Sequence, residues 1–76
     1  MLAYVLVQAE ASQSSRLARE IGAVKGVVSA MSVSGPYDVI ALVEGRSLDE
    51  LSRRVVLSIQ HLDGIVRTIT CPAVKV

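Results

Sequence analysis

The short polar run Ser34-Gly35-Pro36-Tyr37-Asp38 holds the residues of this chain best suited to contact a small polar molecule. Glycine lets a carboxylate or amine approach the backbone closely, and it also supplies the positive φ that many tight turns need. Asp38 could pair with an ammonium group, a contact that strengthens in a cleft of low dielectric. Its carboxylate could equally cap the turn by accepting backbone N–H bonds. Tyr37 offers a ring that could wall a pocket or pack at an interface. Farther on, Thr68 and Thr70 alternate on one side of an apolar run. Their hydroxyls could hold the polar end of a ligand, although threonine also favours strands for ordinary packing reasons. The candidate ligand-binding set is Gly35, Tyr37, Asp38, Thr68 and Thr70.

Catalytic chemistry has little to work with. His61 sits at the end of a helical run, where it suits the negative end of the helix dipole, and no partner stands at metal or triad spacing from it. Cys71 precedes Pro72 with no activating neighbour and is expected to be a buried, inert thiol. The chain has no carboxylate pair, glycine-rich phosphate loop, nucleophile elbow or Cys-x-x-Cys motif. No enzyme activity, metal or cofactor is expected.

The elements that would position these residues follow from the apolar pattern. Leu2 to Val7 reads as a strand. Leu17, Ile21 and Val24 recur at helical spacing, with Arg16, Arg19 and Glu20 on the other face. That helix starts at Ser12 or Ser14, is weakened by Gly22 and ends at Gly26. Val27 to Val33 is a second strand, Ser34-Gly35-Pro36 a turn, and Tyr37 to Glu44 a third strand closing a hairpin. Ser47 with Glu50 forms a capping box that opens a second helix. Its apolar stripe is Leu48, Leu51, Val55, Ile59 and Leu62, and Glu50 precedes Arg54 at the i,i+4 spacing that favours an ion pair. Ile65 to Cys71 is a fourth strand, which Pro72 interrupts and which Ala73 to Val76 could continue along an edge. The order β-α-β-β-α-β predicts an α+β, ferredoxin-like fold, a four-stranded antiparallel sheet with two helices on one face.

Two strands carry hydrocarbon on both sides. The first has Leu2, Tyr4 and Leu6 on one face and Ala3, Val5 and Val7 on the other; the third has Tyr37, Val39, Ala41 and Val43 opposed by Ile40 and Leu42. Helices cover only one side of such a sheet, so the other would expose an apolar patch on the order of several hundred Å², near or above what monomers tolerate. A two-fold axis would make that patch self-complementary, and a homodimer is expected. Size agrees. A 76-residue chain buries too little surface for a generous core, and a single cysteine excludes an internal disulfide, which leaves association as the support.

Composition removes other classes. Net charge is +1 with scattered basic residues, and aromatic residues are 3% of the chain. Neither the basic footprint of a nucleic-acid binder nor the stacking platform of a single-strand binder is present. The longest apolar run is far shorter than the ~20 residues of a membrane span. A cytoplasmic location is expected from the lone thiol and the lack of an export signal.

The turn and strand Ser34-Gly35-Pro36-Tyr37-Asp38-Val39 and the ending Gly64-Ile65-Val66-Arg67-Thr68-Ile69-Thr70 resemble the effector-binding domain of the Lrp/AsnC (feast/famine) transcription regulators, an ACT-like domain also called RAM. The resemblance runs in order over nearly the whole chain. It implies dimers joined through their sheets, further assembly into rings of dimers, and amino-acid effectors held in clefts between dimers. It also implies full-length regulators of the same family as candidate partners in transcription regulation or metabolic control. Those regulators carry an N-terminal helix-turn-helix domain, whereas Met1 leads straight into the first strand. Residues 1–76 are therefore expected to form one ligand-sensing domain without direct nucleic-acid contact. The alternative is a small dimeric α+β-barrel enzyme of monooxygenase or isomerase type. It would need a pocket between helices and sheet with His61 turned inward.

Overall fold

A computed structural model describes residues 1–74. Four strands, β1 (Leu2–Ala9), β2 (Val27–Ser32), β3 (Val39–Glu44) and β4 (Ile65–Pro72), form one antiparallel sheet in the order β2-β3-β1-β4. Helix α1 spans Ser14–Gly22. Helix α2 covers residues 48–60 in three stretches: α at Leu48–Glu50, π at Leu51–Val56 and α again at Leu57–Gln60. The expected ferredoxin-like architecture is the one observed, with β1 and β3 in the centre.

Alternation along the central strands builds the core. Ala3, Val5 and Val7 of β1 and Val39, Ala41 and Val43 of β3 are fully buried against Leu17 and Ile21 of α1 and Leu51, Val55, Val56 and Ile59 of α2. No polar or charged residue is buried among the described residues. The space between helices and sheet is thus packed with hydrocarbon.

The π-helical stretch is the main departure from the sequence pattern. The N–H of Leu57 donates to the carbonyl of Ser52, five residues back. The wider turn brings the adjacent Val55 and Val56 both into the core, where an α-helical period places only Val55. Leu48, expected in the apolar stripe, is instead exposed at the start of the helix. Glu50 also finds a different partner. The N–H of Glu50 donates to Ser47 Oγ at 3.1 Å, but its carboxylate turns back to accept from the Arg46 N–H at 3.2 Å and Nε at 3.1 Å. That arrangement leaves Arg54 without the expected Glu50 ion pair, while Arg53 pairs with Asp49.

Other boundaries shift by a few residues. Helix α1 stops at Gly22, after which Ala23 and Val24 make tight i→i−3 bonds to Glu20 and Ile21. Strand β3 begins at Val39, two residues after the expected Tyr37, with Asp38 bonded across to β1 at the end of the turn. Pro72 does not interrupt β4: it pairs with Ala3, and the next N–H, that of Ala73, donates to Leu2 O at 2.9 Å. The missing proline donor therefore falls on the open side of an edge strand, where none is needed. Of the proposed continuation along that edge, Lys75 and Val76 lie outside the described residues.

Gly26 joins α1 to β2 at φ +98, and a Cβ there would stand 2.5 Å from Val55 Cγ2. Gly26→Ala should destabilise by at least about 1–2 kcal/mol from the backbone alone, with more from the clash, in chemical denaturation. Ser47→Ala should cost about 1 kcal/mol through the lost cap. The Arg46 backbone N–H, aided by its guanidinium, holds the Glu50 carboxyl below its ordinary 4.5. A carboxyl lowered in the folded state stabilises above its ordinary pKa, and that contribution disappears as pH falls through the lowered value. The parent protein should therefore lose more stability on acidification below 4.5 than Glu50→Gln does, as read by melting temperature against pH.

Candidate functional site

The β2–β3 turn is tied to the rest of the sheet by Asp38. One carboxylate oxygen accepts the Ala9 N–H at 2.8 Å, the Asp38 N–H donates to Val7 O at 2.8 Å, and the Val33 N–H donates to Asp38 O at 2.9 Å. A bulge between Gln8 and Ala9 takes Ala9 out of the regular β1–β4 ladder and frees that N–H for the carboxylate. Gln8 Nε2 adds a bond to Pro36 O at 3.2 Å. Asp38 thus does what turn chemistry asks of it. Its second carboxylate oxygen makes no hydrogen bond among the described residues. Gly35, at φ +142, is exposed with open space on its Cβ side, and Tyr37 is half-buried beside it. Gly35, Tyr37 and Asp38 are therefore contiguous at one end of the sheet, on a braced turn.

The threonines lie elsewhere. Thr68 pairs with Val7 and Thr70 with Val5, so both point to the helix-covered face. Thr68 Oγ1 accepts from Gln60 Nε2 of α2 at 2.8 Å. Asp38 continues the β3 register opposite Gln8, on the other face, with β1 between it and β4. Two strand spacings, about 10 Å, separate them in the plane of the sheet. One subunit does not bring the five candidates into a single pocket. The two halves would meet on one ligand only if different copies supplied them.

The open face carries the expected hydrocarbon. Leu2, Tyr4 and Met31 are 44%, 48% and 66% exposed, and Leu6, Ile40, Leu42 and Ile69 are half-buried beside them. Tyr4, Ser29, Met31, Val33, Ile40 and Leu42 line a shallow hollow of about 240 Å³ in this face. No helix or loop among the described residues lies over this surface.

His61 is exposed at the end of α2 rather than turned inward, and the interior is filled. The pocket a barrel enzyme would require is absent from the described residues. Cys71 is also exposed, contrary to the expected burial: it pairs with Tyr4 and so faces the open side of the sheet. Among the described residues no three His, Cys, Asp or Glu side chains cluster as metal ligands, and no helix is long and apolar enough to cross a membrane.

One feature escaped the sequence pattern. At the other end of β1, a cleft of about 1010 Å³ opens between the α1–β2 connection, the β3–α2 connection and α2. Lys25, Arg46, Arg53 and Arg54 line it, with Glu44 and Glu50. These residues are scattered in sequence, and Arg53 and Arg54 alone look like a solvated helix face. Only the fold assembles them.

Known structures place the whole arrangement. A Thermus thermophilus protein shares 33% sequence identity, over 99% of this chain and 94% of that one, with a TM-score of 0.88. A hypothetical protein from Pyrococcus horikoshii shares 27% identity over 97% of this chain and 89% of its own, with a TM-score of 0.85. Escherichia coli AsnC superposes at a TM-score of 0.86 with 21% identity, a likeness of fold, and this chain spans half of its length. No curated protein sequence matches the chain. The family model of the Lrp/AsnC ligand binding domain matches residues 2–76, and the chain belongs to that family.

Proposed function

We propose that this protein is an oligomeric effector-binding module. It pairs through the open faces of its sheets and holds an amino acid in a cleft between copies. The observation that carries the reading is the uncovered apolar face of β1 and β3, for which a second copy is the simplest cover. The braced turn supports the ligand part of the reading: Gly35, Tyr37 and the second oxygen of Asp38 stand together at one end of the sheet. Thr68 and Thr70 face the helix-covered side, where Thr68 bonds Gln60, and they are not part of this site.

In this arrangement the free Asp38 oxygen accepts from the ligand's ammonium group. The exposed glycine turn lets the ligand lie against the backbone, and the Tyr37 ring forms a wall. Desolvation between subunits strengthens the charged contact. Ligand occupancy then alters how copies associate, and a full-length Lrp/AsnC regulator or another protein partner reads the change. No catalytic step is needed.

Calorimetry of the oligomer against the twenty amino acids tests the ligand assignment. At least one should bind, and Asp38→Asn should weaken it by about tenfold, the scale of a lost charge-assisted bond, with little loss of fold because the amide oxygen can still accept from Ala9. Asp38→Ala should in addition lower stability by about 1–3 kcal/mol, since it leaves a half-buried N–H unpaired. Binding by none of the twenty would refute the amino-acid assignment and leave an assembly module. Replacing Leu42 by Lys places a charge in the open face without touching the core. It should yield a folded species of lower mass that no longer binds; full binding by such a species would contradict the intersubunit site.

A further inference from the structure

We propose that the cleft at the Met1–Gly45 end of the sheet is a second ligand site, for a small multiply charged anion, physically separate from the turn that carries Gly35 and Asp38. Four cationic side chains line it, Lys25, Arg46, Arg53 and Arg54, against two carboxylates, Glu44 and Glu50. The ion pairs decide which charges are free. Arg46 is held by Glu50 and Arg53 by Asp49, whereas Lys25 and Arg54 make no ion pair among the described residues. Glu50 makes its hydrogen bonds and close ion pair with Arg46, and acts on Arg54, its i+4 neighbour, only through the longer-range field.

The two free cations come from different elements, Lys25 from the α1–β2 connection and Arg54 from the π-helical stretch of α2. A monocarboxylate would satisfy one of them. A dianion or polyanion can use both, and Arg46 and Arg53 stand on the same lining to add to the field. The walls are braced: Gly26 permits a close approach to Val55 that any side chain would block. Val24 and Leu2 supply apolar surface for the body of a ligand, and Ser58 adds a hydroxyl. The volume lies at the upper end of ordinary small-molecule sites. A π-helical insertion beside such a cleft fits the frequent placement of these insertions at functional sites. The concave form and the lack of an extended basic stripe favour a small anion over a nucleic acid.

Phosphoryl compounds and polycarboxylic acids share the chemistry required, and pyrophosphate and citrate serve as probes for the two. The full chain, labelled with ¹⁵N, is titrated with each at low ionic strength, and amide shifts are followed together with sedimentation. At least one probe should move the amides of Lys25, Gly26, Gly45 and Arg53 to Val55 and leave those around Gly35 unmoved. The combined substitution Lys25→Gln with Arg54→Gln should weaken binding by about tenfold or more, whereas Arg19→Gln with Arg67→Gln should not. Since these side chains are at the surface, the variants should fold and keep the parent's sedimentation behaviour. Pyrophosphate alone binding assigns a phosphoryl ligand, and citrate alone assigns a polycarboxylate. Saturation by neither probe, equal losses in both pairs of variants, or tighter binding of duplex DNA than of either probe would overturn the site. None of these results depends on amino-acid binding at Asp38.

Discussion

Two helices can shield one face of a four-stranded sheet, and in this protein both faces of the central strands are hydrocarbon. That mismatch governs the rest. Between sheet and helices, twelve of the described residues form an apolar core, and no polar residue among those described is buried. On the other side Tyr4, Met31, Leu2 and their half-buried neighbours meet water. An apolar patch of this kind, uncovered by its own helices, normally marks an interface.

The same constraint shapes the candidate site. A small domain with a filled interior has no room for a pocket between its layers. Concave surfaces must then come from loop clusters at the ends of the sheet or from the junction of copies. Asp38 braces the bulge in β1 with one oxygen, and its other oxygen makes no hydrogen bond among the described residues. The turn is rigid because its backbone groups bond to β1 and β2, and a rigid turn can present a ligand contact at little entropic cost. The basic cleft at the opposite end is built differently, from two connections and α2, which approach because Gly26 lets the backbone touch Val55.

The fold was legible because alternation and helical spacing are local signals, and turn residues punctuate them at every junction. The doubly apolar strands were visible for the same reason. Val56 was not, since a π-helical turn leaves no mark in residue type and overrides the 3.6-residue period. The partner of Glu50 was misplaced because Arg46 competes from before the helix, where spacing rules do not look. Pro72 stays in β4 because the ladder register, and not the residue, decides whether its missing donor matters. Of the site, the contiguous turn could be read from sequence. The separation of Thr68 and Thr70 from Asp38 could not, because it depends on which strand lies between them.

The mass of the unmodified protein in solution is the most direct check on the uncovered sheet face. Sedimentation at micromolar concentration should show a species of at least twice the 8.1 kDa chain, giving way to smaller ones only on strong dilution. A single, well-folded 8.1 kDa species at that concentration would mean that water tolerates this surface, and the account built upon its concealment would fail.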